Sequence, residues 1–554
     1  MERDSLDQTL ILPDEILCIV FSFVRSNEPV HVHSWLDVEP RTFGWVRITR
    51  VSRRWRQVAI RCPTLWTHLT GKLGSRWLEE FTQRSKSAPL YIDDQNFAYE
   101  SSGWPSNEIR NPSLTKVLTV HRLRIATLRL HNAPREIVVE PTRGVGLPIL
   151  ADLYLWSEHL KADELSPGQL QDIMGYTTRL RRLHLDLPNF QSSTFDWKQP
   201  SLGGLTTLNI AMKTGENSLF STELWKALYR MTSLVELALH ENEGRRFTSR
   251  ERDVHRCPGT PNNLIIMRRL ESLVLEGPLE MHTHFLRHAR PPSDARISFI
   301  SQSTSDGGSA VHDALAGELS ALLKSHENKP VFQAAYAGFS PTKLACLGLS
   351  RGVRPYQPLA SFAQGPEDPH EHNRNNLDVR YLDRRWNSLL PHLPLGYIHT
   401  LTLHNAGPAS IRTYLSLFPN VERLRLSVDR SFPRHDIGAL EDRSLARMLR
   451  YIDMDASFFD LRTTLSCYSP QGAHVVPERF TVLENVLQAR WEMGSPLIIF
   501  FHVKEEVEWM EECRIWHADR WRDIAEETMR RSVERLESIE GVQFIGRHVD
   551  LFGP

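Results

Sequence analysis

Apolar residues recur along this chain in the pattern L-x-x-L-x-L, in which two alternating leucines or isoleucines follow a third one three residues earlier. Alternation of this kind predicts a short β-strand with one buried face. Six copies follow one another, and their first positions are 25, 30, 25, 29 and 36 residues apart. The copies begin at Ile125, Leu150, Leu180, Leu205, Leu234 and Leu270. A repeat of this length predicts strands that stack side by side.

Helical patterns lie between some of the copies, as in STELWKALYRM at residues 221–231 and SIRTYLSLFPN at residues 410–420. One strand and one helix cannot bury both of their apolar faces, so neighbouring units must stack. The period and pattern resemble those of leucine-rich repeats, which implies a curved parallel sheet. ARISFI at residues 295–300 indicates a degenerate strand in the gap after the sixth copy. Three further copies begin at Leu344, Ile398 and Val421.

We therefore predict an α/β fold with an irregular leucine-rich-repeat solenoid over residues 91–430. Beyond it lie the helical PERFTVLENVLQARWEMG, the apolar SPLIIFFHV, a long charged helix over residues 509–539 and the strand-like GVQFIGRHV. These patterns indicate a continuation of the solenoid with a terminal cap over residues 431–554. A cap is needed because the last unit of a repeat array would otherwise expose its apolar edge.

The N-terminus carries an apolar helix, LPDEILCIVFSF at residues 12–23. Pro13 suits the first turn of a helix, and the next two residues are acidic, as the positive end of a helix dipole favours. The apolar positions are Leu12, Ile16, Leu17, Ile19, Val20, Phe23 and Val24. Because this stripe is wider than one neighbouring helix covers, we expect the helix to make two contacts.

Two more short helices are indicated in ITRVSRRWRQVAIRCPTLWTHL at residues 48–69, on either side of Pro63. In the first, apolar residues at helical spacing occupy one face and arginines mostly fill the others. These arginines could form a phosphate-binding face. Because the charge is only local, a solvated helix face is the preferred explanation. We predict a module of three short helices over residues 1–90.

The segments LPDEIL, VSRRWRQVA and CPTLW, in this order, resemble the F-box, the module by which substrate receptors dock on the Skp1 adaptor of cullin-based (SCF) ubiquitin ligases. RCPTLWTHL with SRWLEEFTQRSKSAPLYI at residues 75–92 is similar to F-box-like proteins of mushroom-forming fungi. The connection at residues 27–45 is longer than in a compact F-box. The resemblance implies that the residues that build or contact the Skp1-binding surface are Leu12, Pro13, Ile16, Leu17, Val20, Val51, Trp55, Leu65 and Trp66.

The resemblance implies a non-catalytic substrate-recognition adaptor, which reaches a cullin through Skp1 while its solenoid holds a protein target. On a leucine-rich strand, the residue between the last two apolar positions faces the concave surface. The predicted target-binding residues are Arg129, Tyr154, His184, Asn209, Thr402 and Arg425. The row has no consistent charge, which favours a mixed protein epitope. The alternative is a leucine-rich scaffold without a ligase, whose N-terminal helices only cap the array.

Composition narrows the partner class. Lys and Arg number 66 against 67 Asp and Glu, so no bulk charge indicates nucleic acid or an anionic membrane. The six cysteines form no C-x-x-C pair and the N-terminus lacks a signal-peptide pattern, so we expect reduced thiols and a cytoplasmic or nuclear protein. PLIIFF at residues 496–501, the longest apolar run in the second half, is too short to cross a membrane.

Motifs for catalysis are not found. The sequence has no G-x-x-x-x-G-K, G-x-G-x-x-G, H-E-x-x-H or G-x-S-x-G, so we expect neither an enzyme nor a cofactor. Close groups of histidines occur at residues 31–33, 282–288 and 370–372. Because each falls in an expected loop or on a solvent face, without a converging third or fourth ligand, we expect no metal site.

Overall fold

The structure is a computed structural model. The described residues are 12–28, 30, 43–70, 75–93, 112–131, 146–157, 177–187, 195–213, 222–242, 264–292, 295–301, 309–324, 334–339, 345–350, 377–381, 395, 398–404, 408–427, 437–442, 444–445, 447–455, 478–494, 497–502, 531, 534–535, 538–539 and 543–545. The chain divides into two compact units, Met1–Leu270 and Glu271–Pro554.

Helices in the described residues begin and end as follows. The α-helices are α1 (Asp14–Asn27), α2 (Arg53–Arg61), α3 (Ser75–Arg84), α4 (Pro112–Val120), α5 (Thr222–Arg230), α6 (Leu279–His288), α7 (Ser309–Lys324), α8 (Pro408–Leu417) and α9 (Glu478–Glu492). Short 3-10 helices occupy Gly44–Arg50, Pro63–Trp66, Arg122–Arg124, Pro200–Gly204 and Ile437–Glu441.

Strands make up most of the remaining described residues. In the first unit they are β1 (His68–Leu69), β2 (Leu90–Asp93), β3 (Ile125–His131), β4 (Asp152–Trp156), β5 (Arg182–Leu187), β6 (Thr207–Lys213), β7 (Glu236–Asn242) and β8 (Ile265–Ile266). In the second they are β9 (Ser272–Glu276), β10 (Ala289–Arg290), β11 (Arg296–Ser301), β12 (Ala334–Phe339), β13 (Ala345–Ser350), β14 (Leu377–Tyr381), β15 (Thr400–His404), β16 (Arg423–Ser427), β17 (Tyr451–Asp455), β18 (Ile498–His502) and β19 (Gln543–Ile545).

In the first unit, β1 to β7 pair side by side in chain order, and every pair is parallel. The leucines of the repeated pattern are register partners and are all buried. One such column runs Leu128, Leu153, Leu183, Leu208 and Leu237. A slip of one residue would move every leucine to the other face of the sheet, so the buried column fixes the register.

A repeated turn brings the chain into several of these strands. Backbone N–H groups of Leu150, Leu205 and Leu234 each donate to the carbonyl three residues earlier, at distances of 3.1 to 3.2 Å. The first apolar residue of these three copies therefore closes a turn and is itself buried. All six strands predicted between residues 125 and 275 are confirmed. Between them, α5 confirms the helix predicted from STELWKALYRM.

In the second unit the pairing order is β9, β11, β14, β13, β12, β15, β16, β17, β18 and β19. The degenerate strand predicted from ARISFI is confirmed as β11, parallel to β9. Strands β15 to β19 form a second all-parallel run. Strand β18 lies in the apolar SPLIIFFHV, and β19 bears out the strand predicted from GVQFIGRHV. The predicted charged helix over residues 509–539 lies mostly outside the described residues.

The copy that begins at Leu344 was wrongly predicted to be a parallel repeat strand. It forms β13, which is antiparallel to both β12 and β14. Only five residues, 340–344, separate β12 from β13. A link of that length allows an antiparallel hairpin, whereas a parallel crossover needs about a dozen residues or more.

Taken together, the helices at the N-terminus and the parallel strands give a mixed α/β fold, in agreement with the predicted class. No helix within the described ranges is both long and apolar enough to cross a membrane. The predicted domain boundaries at residues 90 and 430 stay predictions.

Replacing one buried column leucine tests the register. We expect Leu208→Ala to lower the free energy of unfolding by about 2 to 5 kcal/mol, because it leaves a cavity in a fully buried site. Its neighbour Asn209 is the matched control, since its side chain lies on the other face and Asn209→Ala should cost less than about 1 kcal/mol. Urea denaturation followed by circular dichroism measures both, and equal losses would contradict the assigned faces.

Candidate functional site

Helix α1 has one buried face and one exposed face. Leu17 and Phe21, four residues apart, are fully buried. The opposite side carries four exposed apolar side chains at the spacing of one helix face. We call these residues the α1 patch: Ile16, Ile19, Val20 and Phe23. Phe23 is 70 % exposed and Ile19 65 % exposed, so the described part of the chain leaves this face largely uncovered.

The buried face of α1 is fixed by three contacts with the residues that follow it. The ring of Phe21 packs on Trp55 of α2, with 5.1 Å between centroids. At the other end, Nη1 of Arg25 donates to the carbonyl of Thr64 at 2.6 Å. Arg54 reaches the start of α1, where it pairs with the Asp14 carboxylate at 3.0 Å and also donates to the Leu12 carbonyl. The helix is thus held at both ends while the α1 patch points away.

Trp66 is the centre of the module. Its side chain is fully buried, and its indole N–H donates to the Ala59 carbonyl of α2 at 2.8 Å. Trp45 and Phe81 pack edge-on against it with centroids 5.1 and 5.0 Å away, and the Arg84 guanidinium lies 4.4 Å from its ring centre. Four separate segments therefore meet at one aromatic side chain.

The sequence-predicted docking residues fall into two groups. Leu12, Pro13, Ile16, Val20 and Val51 are exposed, and Trp55 is half-buried. The other three are fully buried and can support a docking surface without touching a partner: Leu17, Leu65 and Trp66.

Ile19 and Phe23 are exposed residues that the predicted docking set lacked, although both belong to the apolar stripe of α1. The signal that could have found them is their spacing of three to seven residues from Ile16. Most of the long connection at residues 27–45 lies outside the described residues.

Four of the predicted target-binding residues lie in one straight row across the first unit. The residues Arg129, Tyr154, His184 and Asn209 are consecutive register partners on β3 to β6. Their side chains leave the sheet on the face opposite the buried leucine column, because they alternate with it along each strand. We call these four residues the sheet-face row.

Aromatic rings occupy the middle of this row. Tyr154 and His184 stack with centroids 4.0 Å apart and planes 17° from parallel. His131 follows Arg129 by two residues on β3, and its ring centroid lies 4.7 Å from that of Tyr154 and 6.3 Å from that of Trp156. Flat rings that support each other in this way lose little conformational freedom when a partner covers them.

A buried carboxylate anchors the edge of the row. Asp152 is buried, and its Oδ2 forms ion pairs with Nη2 of Arg129 at 3.3 Å and with Nη2 of Arg182 at 3.0 Å. One negative charge is shared between two guanidiniums, both of which remain about half exposed. The row therefore combines stacked rings with fixed positive groups.

The two predicted residues of the second unit are also register neighbours, Thr402 on β15 and Arg425 on β16. Thr402 is buried and offers a partner little area. Beside them, Arg423 binds the buried Asp453 carboxylate through two hydrogen bonds of 2.7 and 3.0 Å. Arg425 thus lies beside the ion pair of Arg423 and Asp453, whose hydrogen bonds are already formed.

Titratable groups in the described ranges do not gather as metal ligands, since no three His, Cys, Asp or Glu side chains converge there. His282 lies in the core of the second unit against Phe299, and burial lowers its pKa to about 3. The expectation that the histidines at residues 282–288 lie in a loop or on a solvent face was therefore wrong, since they lie in α6 with His282 and His284 buried. Burial, with Cys62 beside it, raises the pKa of Cys18 to about 12, so this thiol stays protonated. The predicted histidine groups at residues 31–33 and 370–372 lie outside the described residues.

Comparison with known proteins bears on the helical module. A family model described as F-box-like matches residues 9–72, a span that includes α1, α2 and β1. No curated protein matches the chain.

Acid should weaken the first unit through His184. Burial, then the nearby His240, His131 and Arg129, lower the pKa of His184 to about 3. The unfolded chain, with a pKa near 6.5, binds a proton that the folded one does not. The contribution of His184 to the free energy of unfolding is therefore complete above about pH 6.5. It is lost as the pH falls towards 3, by at most about 1.4 kcal/mol per pH unit.

We expect thermal melts of the native chain to show a falling midpoint from pH 7 to pH 5, and His184→Gln to reduce that fall. His399→Gln is the control because the His399 side chain is 49 % exposed. An identical pH slope in the native chain and the His184 variant would contradict the assignment.

Proposed function

We propose, from the F-box-like domain at residues 9–72, that this chain is a substrate-recognition adaptor of an SCF ubiquitin ligase. The α1 patch docks on a Skp1-like adaptor, and through it on a cullin, while the sheet face holds a protein target. An F-box-like domain indicates an SCF adaptor role in general. The docking partner, the target and their sites on this chain are our proposal.

The observation that carries the proposal is the uncovered α1 patch. A helix whose ends are fixed by Arg54 and Arg25 presents four apolar side chains to solvent, although the same helix buries Leu17 and Phe21 completely. Exposed apolar faces of this kind mark protein interaction sites. A preformed helix face also avoids the entropic cost of folding on binding.

The mechanism needs no catalytic group on this chain. Tethering the target beside a ligase raises the effective concentration of its lysines near the enzyme that carries ubiquitin. Chemistry then belongs to other subunits, and this chain contributes affinity and geometry. We propose accordingly that it is not an enzyme, that it works in cytoplasm or nucleus, and that it needs no cofactor.

The strand arrays are proposed to be divergent leucine-rich repeats, of the kind found in the F-box-like proteins of mushroom-forming fungi. The in-register leucine columns and the repeated turns of the first unit support this interpretation. The reversed strand β13 is the main departure from such a repeat.

A second candidate is a repeat scaffold without a ligase. It is favoured by the position of β1, which begins two residues after Trp66 and pairs with β2. In that arrangement the helical module covers the first strand, as a cap does. The two functions differ only in whether the α1 patch has a partner.

Polar substitution in the α1 patch separates the two candidates. We expect Ile19→Ser with Phe23→Ser to weaken binding to a purified Skp1-like adaptor at least a hundredfold, because the two most exposed apolar side chains of the patch are lost. Biolayer interferometry on the full chain measures the affinity, and thermal melts check that the fold is kept.

The matched control is Val120→Ser with Leu123→Ser. These residues are 63 % and 59 % exposed, at the end of α4 and in the turn that follows it, so the change in surface polarity is the same. Native affinity is expected for the control. If the native chain shows no binding, the scaffold function is favoured; equal losses in both variants would contradict docking through α1.

Target capture should depend on the sheet-face row and not on the α1 patch. We expect Tyr154→Ala with Arg129→Ala to lose the co-purifying target while keeping the adaptor, since it removes the central ring and one fixed guanidinium. The Ile19 and Phe23 variant should show the reverse. Quantitative mass spectrometry of affinity-purified complexes measures both, and joint loss of both partners in either variant would contradict two separate surfaces.

A further inference from the structure

Arginines dominate the charge of the helical module. Over residues 12–28 and 43–66 there are seven arginines, against the three carboxylates of Asp14, Glu15 and Glu28. Residues 43–66 contain six of these arginines and no acidic residue. The whole chain is nearly neutral, so this excess is a local feature of the docking module.

Few of these arginines are neutralised. Arg47 pairs with Glu28, and Arg54 pairs with Asp14. Arg56 donates to the Thr49 carbonyl at 2.9 Å, and the Arg50 guanidinium lies over the Phe43 ring.

Two arginines of α2 face no carboxylate within the described ranges. Arg53 and Arg61 are exposed, and neither side chain forms an ion pair or hydrogen bond with another described residue. A positive charge without a partner on a rim attracts an oppositely charged surface during association.

Apolar residues lie among these charges. Val51, just before α2, is 62 % exposed, and Ile60 shares a helix face with Arg53, because seven residues make two turns. Helix α2 is also joined to α1 by the Arg54–Asp14 ion pair and the Phe21–Trp55 contact. An exposed apolar surface and an unneutralised basic surface therefore belong to two helices that are packed together.

We infer that the partner of the α1 patch carries an acidic rim beside its apolar groove, and that Arg53 and Arg61 of this chain steer its approach. The inference rests on the proposed function and adds to it the charge of the partner and the residues that meet that charge. Steering acts on the association rate, whereas the apolar contacts govern dissociation.

A protein partner fits these observations better than a nucleic acid. Phosphate backbones are bound by clustered Lys and Arg side chains, whereas here the exposed apolar groups of Val51, Ile60 and the α1 patch lie among the arginines. Glu15 is also exposed at the start of α1, where it would repel a phosphate. The chemistry matches an acidic protein surface with an apolar centre.

The experiment measures association of the full chain with a purified Skp1-like adaptor by stopped-flow fluorescence, between 50 and about 500 mM NaCl, where the Debye length shortens from above 10 Å to about 4 Å. We expect Arg53→Gln with Arg61→Gln to lower the association rate about three- to tenfold at low salt, with dissociation unchanged within about twofold. The rates of native chain and variant should converge at high salt.

The control is Arg268→Gln with Arg269→Gln, two exposed arginines of the same unit that change the net charge equally. It should associate at the native rate. Salt-independent association, or equal slowing in both variants, would overturn the inference and leave the proposed function intact. No adaptor binding by the native chain overturns both. Binding of a DNA duplex that Arg53→Gln with Arg61→Gln abolishes would overturn the choice of a protein partner.

Discussion

The packing around Trp66 is the constraint on which the N-terminal half of this molecule depends. Its ring brings together the 3-10 helix at Trp45, helix α3 at Phe81 and Arg84, and helix α2 through the Ala59 carbonyl. The chain leaves this cluster directly into β1. Because α1 is attached to the same α2 by Phe21 and Trp55, its orientation follows from that cluster. An exposed helix face is useful for recognition only if the helix is held still, and Trp66 makes that possible.

A second constraint, register, organises the strands. Buried leucines on neighbouring strands are register partners, so the residues between them are register partners too. Side chains of different chemistry are therefore aligned in one row by the pairing of the leucines. The stack of Tyr154 on His184 and the sharing of Asp152 by two arginines follow from this geometry. The His184 side chain leaves the sheet away from the leucines, yet burial lowers its pKa, and the ring of its register partner Tyr154 is stacked on it.

What the sequence predicts well are the features that repeat. The spacing of Leu128 and Leu130, recurring at intervals of about 30 residues, predicts each strand of the first unit because only one face can be buried. Strand direction is a different matter, since alternation reads the same both ways, and β13 was misassigned for that reason. The apolar stripe of α1 likewise predicts two contacts but not which side is taken. The tertiary packing of Phe21 on Trp55 decides it, and Ile19 and Phe23 are left exposed as a result.

Magnitudes indicate why the α1 patch would need help to bind a partner tightly. Fully burying an aliphatic or aromatic side chain is worth about 1.5 to 3 kcal/mol, and Ile16 and Val20 are already more than half covered. The four residues together therefore supply on the order of 5 kcal/mol, which is similar to the lower estimates of about 4 to 15 kcal/mol for lost translational and rotational freedom. The surplus must come from contacts outside α1 and from a helix that is already ordered. Helix α2 supports both contributions. It carries the unneutralised arginines, and its residues Trp55 and Arg54 hold α1 in place.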